Sequence, residues 1–252
     1  IDGNKSNQTQ SVAGIVINNN SVADLLVFDV WIRRVNGPGM KIFYGWDHLL
    51  LRTVIEHSEG PAVYIERQEE GVSLGHIMLQ NCYLLHNDGQ VYIAHSLQSY
   101  QRIGGIIIAN SFLGGAPTGD SNPELSLYSN SVIIQGNNIS PAPTGNHLIY
   151  LYPGQSYTID GNVFRATFSP YNQFSEIYVD KSVPSQDFDI LHISNNDFGS
   201  GHAKYSIAFE GSQSWVRSLM LNNNQFISVG DNPVVYNDTG TSLWQPIIMG
   251  NN

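Results

Sequence analysis

The sequence is poor in cysteine, in positive charge and in long apolar runs, and each shortage excludes a class of protein. Its single cysteine, Cys82, excludes an internal disulfide framework. Lysine and arginine number 11 against 21 aspartates and glutamates, and no basic run occurs. Neither nucleic acid nor an anionic membrane surface is therefore an expected partner. No apolar stretch reaches the roughly 20 residues that span a bilayer, so we expect no membrane insertion.

Residues that form turns and strands are abundant instead. Only 13% of the 252 residues are charged, whereas glycine, asparagine and serine are frequent, and the apolar residues are mainly valine, isoleucine, leucine, tyrosine and phenylalanine. This mixture favours many β-strands joined by tight turns. A chain of this length can bury a substantial core as one all-β domain.

One short phrase recurs along the chain, most clearly as Ile134-Gln135-Gly136-Asn137 and Ile159-Asp160-Gly161-Asn162. Its first apolar residue falls at positions 1, 27, 51, 79, 108, 134, 159, 193, 221 and 248, a period of 24 to 34 residues. The third residue is glycine or asparagine in eight of ten copies, which predicts a corner with left-handed backbone. The fourth is asparagine in six copies, which predicts a ladder of stacked side-chain amides.

A second, alternating strand lies between successive phrases, as in Ile149-Tyr150-Leu151 and Ile177-Tyr178-Val179. Short strands, a fixed corner and loops of variable length describe a solenoid. The repeated Ile-x-Gly-Asn phrases resemble the pectate-lyase-like right-handed parallel β-helices, and within that group they are most similar to viral tailspikes and related glycan depolymerases. The fold expected is thus an all-β, right-handed parallel β-helix of about nine coils.

The chain begins and ends on a corner phrase, and neither end resembles the cap that a solenoid needs. We therefore expect residues 1–252 to form one β-helix domain, the central part of a longer chain that carries the caps.

Aligning the second strands predicts columns of outward side chains that run along the solenoid. The first column is Val16, Lys41, Tyr64, Tyr92, Ser126, Tyr150, Tyr178, Ala208 and Val235, and the second is Asn18, Phe43, Glu66, Ala94, Tyr128, Tyr152, Asp180, Glu210 and Asn237. Tyrosine can stack on a sugar ring and hydrogen-bond its edge, although it also favours exposed strands for their own stability. The resembling enzymes place their glycan groove on this face. The expected sugar-binding residues are Tyr64, Glu66, Arg67, Tyr92, His95, Tyr128, Tyr150, Tyr152, Tyr178 and Lys181.

Asp180 and Glu210 fall at the same position of successive coils, so we expect their carboxyl groups within about 5 Å, the separation of retaining glycosidases. They are the expected catalytic pair. The alternatives are two solvated carboxylates without a role, or a shared cation site.

A second polar group, Glu66, Arg67, Tyr92 and His95, could serve a lyase or epimerase. Such an enzyme needs a base near the sugar C5 proton and a cation for the uronate carboxylate. The calcium and arginine signature of pectate lyases is not evident, and we expect no cofactor.

The leading hypothesis is a tailspike-like protein that binds and hydrolyses a cell-surface polysaccharide, located outside the cell or on a virion surface. A non-enzymatic glycan-binding adhesin and a secreted lyase or epimerase are the alternatives. The resemblance also implies a homotrimer as one arrangement of subunits.

Overall fold

The computed structural model describes residues 1–19, 22–66, 74–94, 103–114, 122–140, 147–165, 175–183, 186–199, 203–227, 235–238 and 246–251. Within these ranges the chain forms 26 β-strands, numbered in chain order, and one short 3-10 helix, Lys5–Asn7. The expected all-β class is confirmed. No helix in the described part of the chain is long and apolar enough to cross a membrane.

The strands form three parallel sheets whose members follow one another at every third strand. Sheet 1 contains β1 (Ile15–Ile17), β4 (Met40–Ile42), β7 (Val63–Ile65), β10 (Val91–Ile93), β13 (Leu125–Leu127), β16 (Ile149–Leu151), β19 (Ser175–Asp180), β22 (Tyr205–Glu210) and β25 (Val235–Asn237). Sheet 2 contains β2 (Leu26–Phe28), β5 (Gly45–Leu51), β8 (Leu74–Gln80), β11 (Ile103–Ala109), β14 (Ser129–Gln135), β17 (Ser156–Asp160), β20 (Phe188–Ser194), β23 (Val216–Asn222) and β26 (Pro246–Met249). Sheet 3 contains β3 (Trp31–Arg33), β6 (Val54–Glu56), β9 (Tyr83–Leu85), β12 (Phe112–Gly114), β15 (Asn138–Ser140), β18 (Val163–Phe164), β21 (Asp197–Phe198) and β24 (Gln225–Phe226).

This topology is a parallel β-solenoid in which each turn adds one strand to each sheet. Because sheet 3 has eight strands, no more than eight described turns carry a strand in all three sheets. The expected count of about nine coils is therefore not matched.

The core is the inside of the solenoid, filled by alternate side chains of each strand. In β11, Ile106 and Ile108 are buried while Ile107 between them is partly exposed. Full burial of such a side chain contributes about 1.5–3 kcal/mol. Residues at equal positions of successive coils stack on one another, as Phe164, Phe198 and Phe226 do with ring centroids 4.7 and 4.9 Å apart. The core is thus a set of apolar columns parallel to the solenoid axis.

The predicted left-handed corners are confirmed between sheets 2 and 3. The corner residue has φ between 50° and 66° in nine successive turns, at Asp29, Arg52, Asn81, Asn110, Gly136, Gly161, Asn195, Asn223 and Gly250. The third corner starts one residue earlier than the sequence spacing predicts, because Leu50, and not Leu51, pairs with Leu79. Arg52 therefore occupies a position where glycine or asparagine is usual, and its guanidinium binds the carboxylate of Asp29 on the preceding corner.

The residue after each corner carries the predicted amide ladder. Each of Asn137, Asn162, Asn196 and Asn224 donates through Nδ2 to the Oδ1 of the next asparagine, at 3.0–3.1 Å, and Asn251 ends the series. The same Nδ2 also donates its other hydrogen to a backbone carbonyl of the preceding turn, as from Asn196 to Ile159 O at 2.9 Å. Ser111 and Cys82 continue the ladder in the earlier coils. Every buried amide in the series therefore has partners on both sides, which fixes the register between coils.

Replacing Asn196 with alanine should destabilise the protein by about 3 kcal/mol, because buried donors of Asn162 lose their acceptor. Urea unfolding followed by circular dichroism measures this loss. Asn7→Ala, at an exposed position, is the control and should change the free energy of unfolding by less than about 0.5 kcal/mol. Equal stability of the two variants would contradict the structural role of the ladder.

Candidate functional site

The outer face of sheet 1, here called the sheet 1 strip, carries a row of aromatic side chains in register. The pairing of successive strands aligns Lys41, Tyr64, Tyr92, Ser126, Tyr150, Tyr178, Ala208 and Tyr236. The sequence predicted this column except for its last member, where Tyr236 replaces Val235 because the final strand is shifted by one residue. The strip is therefore a property of the parallel register, which repeats a side chain about every 4.8 Å.

Tyr64 and Tyr92 form the first aromatic pair of the strip. Their rings are 5.6 Å apart and parallel to within 5°. The ammonium group of Lys41 lies 5.6 Å from the Tyr64 ring centroid, and Glu66 hydrogen-bonds the Tyr64 hydroxyl. Burial, with the charge of Glu66 second, raises the pKa of Tyr64 to about 12. The Tyr64 phenol therefore remains protonated at neutral pH.

Tyr150, Tyr152 and Tyr178 form a second and tighter aromatic cluster. The Tyr150 ring lies 4.8 Å from each of the other two. Burial raises the pKa of Tyr152 to about 12, and burial together with neighbouring carboxylates raises the pKa of Tyr150 and of Tyr178. All three are half-buried hydroxyl donors on a rigid sheet.

Two of these tyrosines bind the carboxylates that the sequence singled out. Asp180 and Glu210 are paired across β19 and β22. The hydroxyl of Tyr150 donates to Asp180 Oδ2 at 2.8 Å, and that of Tyr178 donates to Glu210 Oε2 at 3.2 Å. Asp180 Oδ1 accepts a further hydrogen bond from the backbone N–H of Ser182 at 2.8 Å. Each tyrosine thus reaches one coil forward to an acid, and the two acids lie in adjacent coils.

His147 lies beside this cluster and was not identified from the sequence. Its ring stacks on Tyr178 with centroids 4.2 Å apart, and its Nδ1 accepts a hydrogen bond from Ser175 N at 3.0 Å. Burial lowers the pKa of His147 to about 4, and the hydrogen bond from Ser175 has a smaller, opposing effect on this pKa. The ring is therefore neutral at pH 7, with its proton on Nε2.

The remaining predicted site residues are either buried or outside the described part of the chain. Tyr128 is 3% exposed: its ring meets that of Tyr152 edge-on at 6.2 Å, and its hydroxyl donates to Gln186 Oε1 at 3.1 Å. Its part in sugar binding stays a prediction. Lys181 is also fully buried, because strand alternation turns it inward after Asp180. Burial lowers its pKa to about 8, opposed by the charge of Asp238. Arg67 and His95 lie outside the described residues.

Sequence reasoning missed Gln186, Asp238 and Tyr236 as well as His147. Tyr236 and Asp238 were hidden by the one-residue shift in the last coil, and Tyr236 stacks on Tyr205 at 4.5 Å. His147 precedes its strand and Gln186 belongs to a loop, so neither follows the period of the strand columns. Within the described ranges, no group of three or more histidine, cysteine or acidic side chains is arranged to hold a metal ion.

Protein-family models and curated proteins give no match to this sequence. Solved structures do. The A-module of the mannuronan C-5 epimerase AlgE6 from Azotobacter vinelandii has a TM-score of 0.71 at 13% identity, over 99% of this chain and 71% of that one. The chain has the same fold. Tailspike protein gp49 of Acinetobacter baumannii bacteriophage Fri1, a capsular polysaccharide depolymerase, has a TM-score of 0.65 at 12% identity over 95% of this chain.

Both similar structures are parallel β-helix proteins. The expected resemblance to this group, including a phage tailspike, is therefore confirmed at the level of the fold. The chain spans 42% of the tailspike chain. At identities of 12 and 13% the likeness shows the fold alone, so the chemistry of the site is argued from the residues of this chain.

Replacement of His147 with asparagine should make the free energy of unfolding less sensitive to acid. In the wild type the unfolded chain binds a proton near pH 6.5 that the folded chain rejects until about pH 4, so stability is lost as the pH falls through this window. The asparagine Oδ1 can still accept from Ser175 N. Urea titrations at pH 7, 5.5 and 4.5 measure the slope. Parallel pH profiles for variant and wild type would contradict the buried neutral imidazole.

Proposed function

We propose that the chain binds a polysaccharide along the sheet 1 strip and hydrolyses it at Asp180 and Glu210. The observation that carries the proposal is the pairing of these two acids in adjacent coils, each hydrogen-bonded by a tyrosine of the strip. The two structurally similar proteins are named for action on polysaccharides, one as an epimerase of mannuronan and one as a capsular polysaccharide depolymerase.

The aromatic cluster supports sugar binding. Half-buried phenol rings offer apolar surface for the C–H faces of a pyranose, and the hydroxyl oxygens of Tyr150 and Tyr178, whose hydrogens bind the carboxylates, can accept hydrogen bonds from sugar hydroxyls. The rings are also held in place by one another, at centroid distances of 4.8 Å, so little side-chain freedom is lost on binding. A row of such side chains along the axis suits an extended chain of sugars.

Charge narrows the class of polysaccharide. In the described part of the strip, Glu66, Asp180, Glu210 and Asp238 carry carboxylates, whereas Lys41 is partly exposed and Lys181 is buried. Such a surface repels a polyanion. A neutral or amino-sugar polysaccharide therefore fits better than a polyuronate, and this favours hydrolysis over uronate elimination or epimerisation.

Different roles are proposed for the two acids on the basis of their burial and hydrogen bonds. Both oxygens of Asp180 accept hydrogen bonds, and the residue is 6% exposed, so its carboxylate is held in one orientation. Glu210 is more exposed and is bonded at Oε2, which leaves Oε1 to reach a glycosidic oxygen. Glu210 is proposed as the proton donor and Asp180 as the nucleophile. Because coils are about 4.8 Å apart, a separation near that of retaining enzymes is expected for the pair.

Asp180→Asn and Glu210→Gln should each lower depolymerisation by at least about 100-fold while binding persists. A panel of neutral, amino-sugar and uronic-acid capsular and O-antigen polysaccharides is the substrate, with product size and ultraviolet absorbance read together. Proton NMR of early products should show retained anomeric configuration. Asp189→Asn, an exposed acid of sheet 2, is the matched control. Full activity in both site variants, or unsaturated products, would refute hydrolysis at this pair.

Binding without catalysis is a second candidate function, and the burial of Asp180 favours it. A carboxylate at 6% exposure with both oxygens bonded is also what a purely structural aspartate requires. The same strip would then serve an adhesin or receptor-binding segment. The proposed setting, outside the cell or on a virion surface, follows the tailspike likeness. So does a homotrimeric state, which sedimentation can test.

Tyr150→Ala should weaken polysaccharide binding by about 10-fold or more under either function, because it removes the central ring of the cluster. Tyr150→Phe keeps the ring and should weaken binding less. Tyr83→Ala, which removes a 54% exposed tyrosine from sheet 3, is the control. Affinity electrophoresis or calorimetry gives the ratios. Unchanged affinity in Tyr150→Ala would move sugar binding away from this strip.

A further inference from the structure

A histidine and an aspartate form a pair on sheet 2, on a different face from the sheet 1 strip. Asp47 and His76 interrupt β5 and β8 at the same height, between the pairs Trp46–Gly75 and His48–Ile77. Both have left-handed backbone, with φ of 56° and 53°. The preceding coil has the same backbone at Asp24, which follows the bridge between Ala23 and Trp46 and has φ of 53°, so a left-handed residue is a regular feature of this corner. Both side chains are exposed, at 59% for Asp47 and 63% for His76.

The pair orients the imidazole. Asp47 Oδ1 lies 2.9 Å from His76 Nδ1, and the Trp46 ring meets the imidazole edge-on at 5.8 Å. With Nδ1 bound to the carboxylate, Nε2 is the nitrogen available as a base. His76 is 63% exposed, so a ligand can reach it.

The next two coils leave room for the imidazole and place a hydroxyl beyond it. Gly105 follows His76 in the column, and a Cβ there would lie 3.5 Å from His76 Cδ2. The ring thus lies over a position without a side chain. Ser131 pairs with Gly105 in the following coil and lines the same groove as Asp47 and His76. Among the described residues the Ser131 hydroxyl has no hydrogen-bond partner, so it is free to turn towards His76.

The groove beside this group is apolar. It has a volume of about 340 Å³, and its floor is formed by outward side chains of four successive strands, Leu49, Met78, Ile107 and Ile133. No charged side chain other than Asp47, bound to His76, lines it. The groove therefore suits an apolar acyl group placed next to the serine.

We infer that this groove is a second active site, in which Ser131, His76 and Asp47 hydrolyse carboxylic esters with an apolar acyl group. His76 Nε2 takes the Ser131 hydroxyl proton as Oγ bonds to the ester carbonyl carbon. The bond to the alcohol oxygen then breaks, the alcohol leaves with that proton, and an acyl-serine remains. Water attacks the acyl-serine, gives its proton through His76 to Oγ, and releases the carboxylic acid.

This site is independent of the proposed action on polysaccharide. Its residues belong to β5, β8 and β14 of sheet 2, whereas Asp180 and Glu210 belong to sheet 1. Loss of one activity therefore leaves the other measurable.

The test is hydrolysis of p-nitrophenyl acetate and p-nitrophenyl butyrate by the intact chain. The butyrate should react faster per unit concentration, because its chain fits the apolar groove. Ser131→Ala and His76→Ala should each lower kcat/KM by about 100-fold or more, and Asp47→Asn by at least about 10-fold. A fluorophosphonate probe should label Ser131, as found by peptide mass spectrometry, and the label should require His76.

The control is His57→Ala, which removes another exposed histidine with left-handed backbone that stacks on His86 instead of binding a carboxylate. It should keep the full rate. Thermal unfolding verifies that each variant is folded; if Ser131→Ala is unfolded, the labelling of wild-type Ser131 decides. Absence of the label, a rate independent of Ser131, or equal losses in His57→Ala and His76→Ala would overturn the inference.

Discussion

The asparagine ladder at the corner between sheets 2 and 3 is the interaction on which the rest of the structure depends. Each amide binds the next turn and the preceding one, so a slip by one residue would leave buried donors without acceptors. The ladder therefore holds one register through all three sheets. Without that register Asp180 and Glu210 would not face each other across β19 and β22, and the tyrosine column would be broken.

The sheet 1 strip shows how a repeated fold acquires a single local site. The column positions exist in every coil, but among the described residues it is in the coils around β16, β19 and β22 that tyrosines bind two carboxylates of adjacent coils. The apolar core below them is the same as elsewhere in the solenoid. Chemistry is therefore determined by the outward residues, which can change without disturbing the packing of the inward columns. For this reason the fold alone does not define the activity.

The sequence could predict the solenoid, its corners and most of the strip, because glycine and asparagine at left-handed positions and alternating apolar residues have direct backbone causes. It could not predict that Tyr128 and Lys181 are buried, since this depends on how strand ends turn inward and on side chains from other coils. His147 is outside every period and was found only through its contact with Tyr178. The last strand of sheet 1 was aligned one residue off, because two consecutive valines, Val234 and Val235, leave the alternation of its residues ambiguous.

The ladder is also unequal along its length. From Asn137 onwards each rung is an amide that bonds twice, whereas Cys82 and Ser111 in the earlier coils supply a thiol and a hydroxyl. Because each turn of a solenoid depends mainly on its neighbours, the coils before Asn137 are expected to be less stable than the coils after it. We therefore expect thermal opening to start near the first coils, before the coils that hold Tyr150, Asp180 and Glu210.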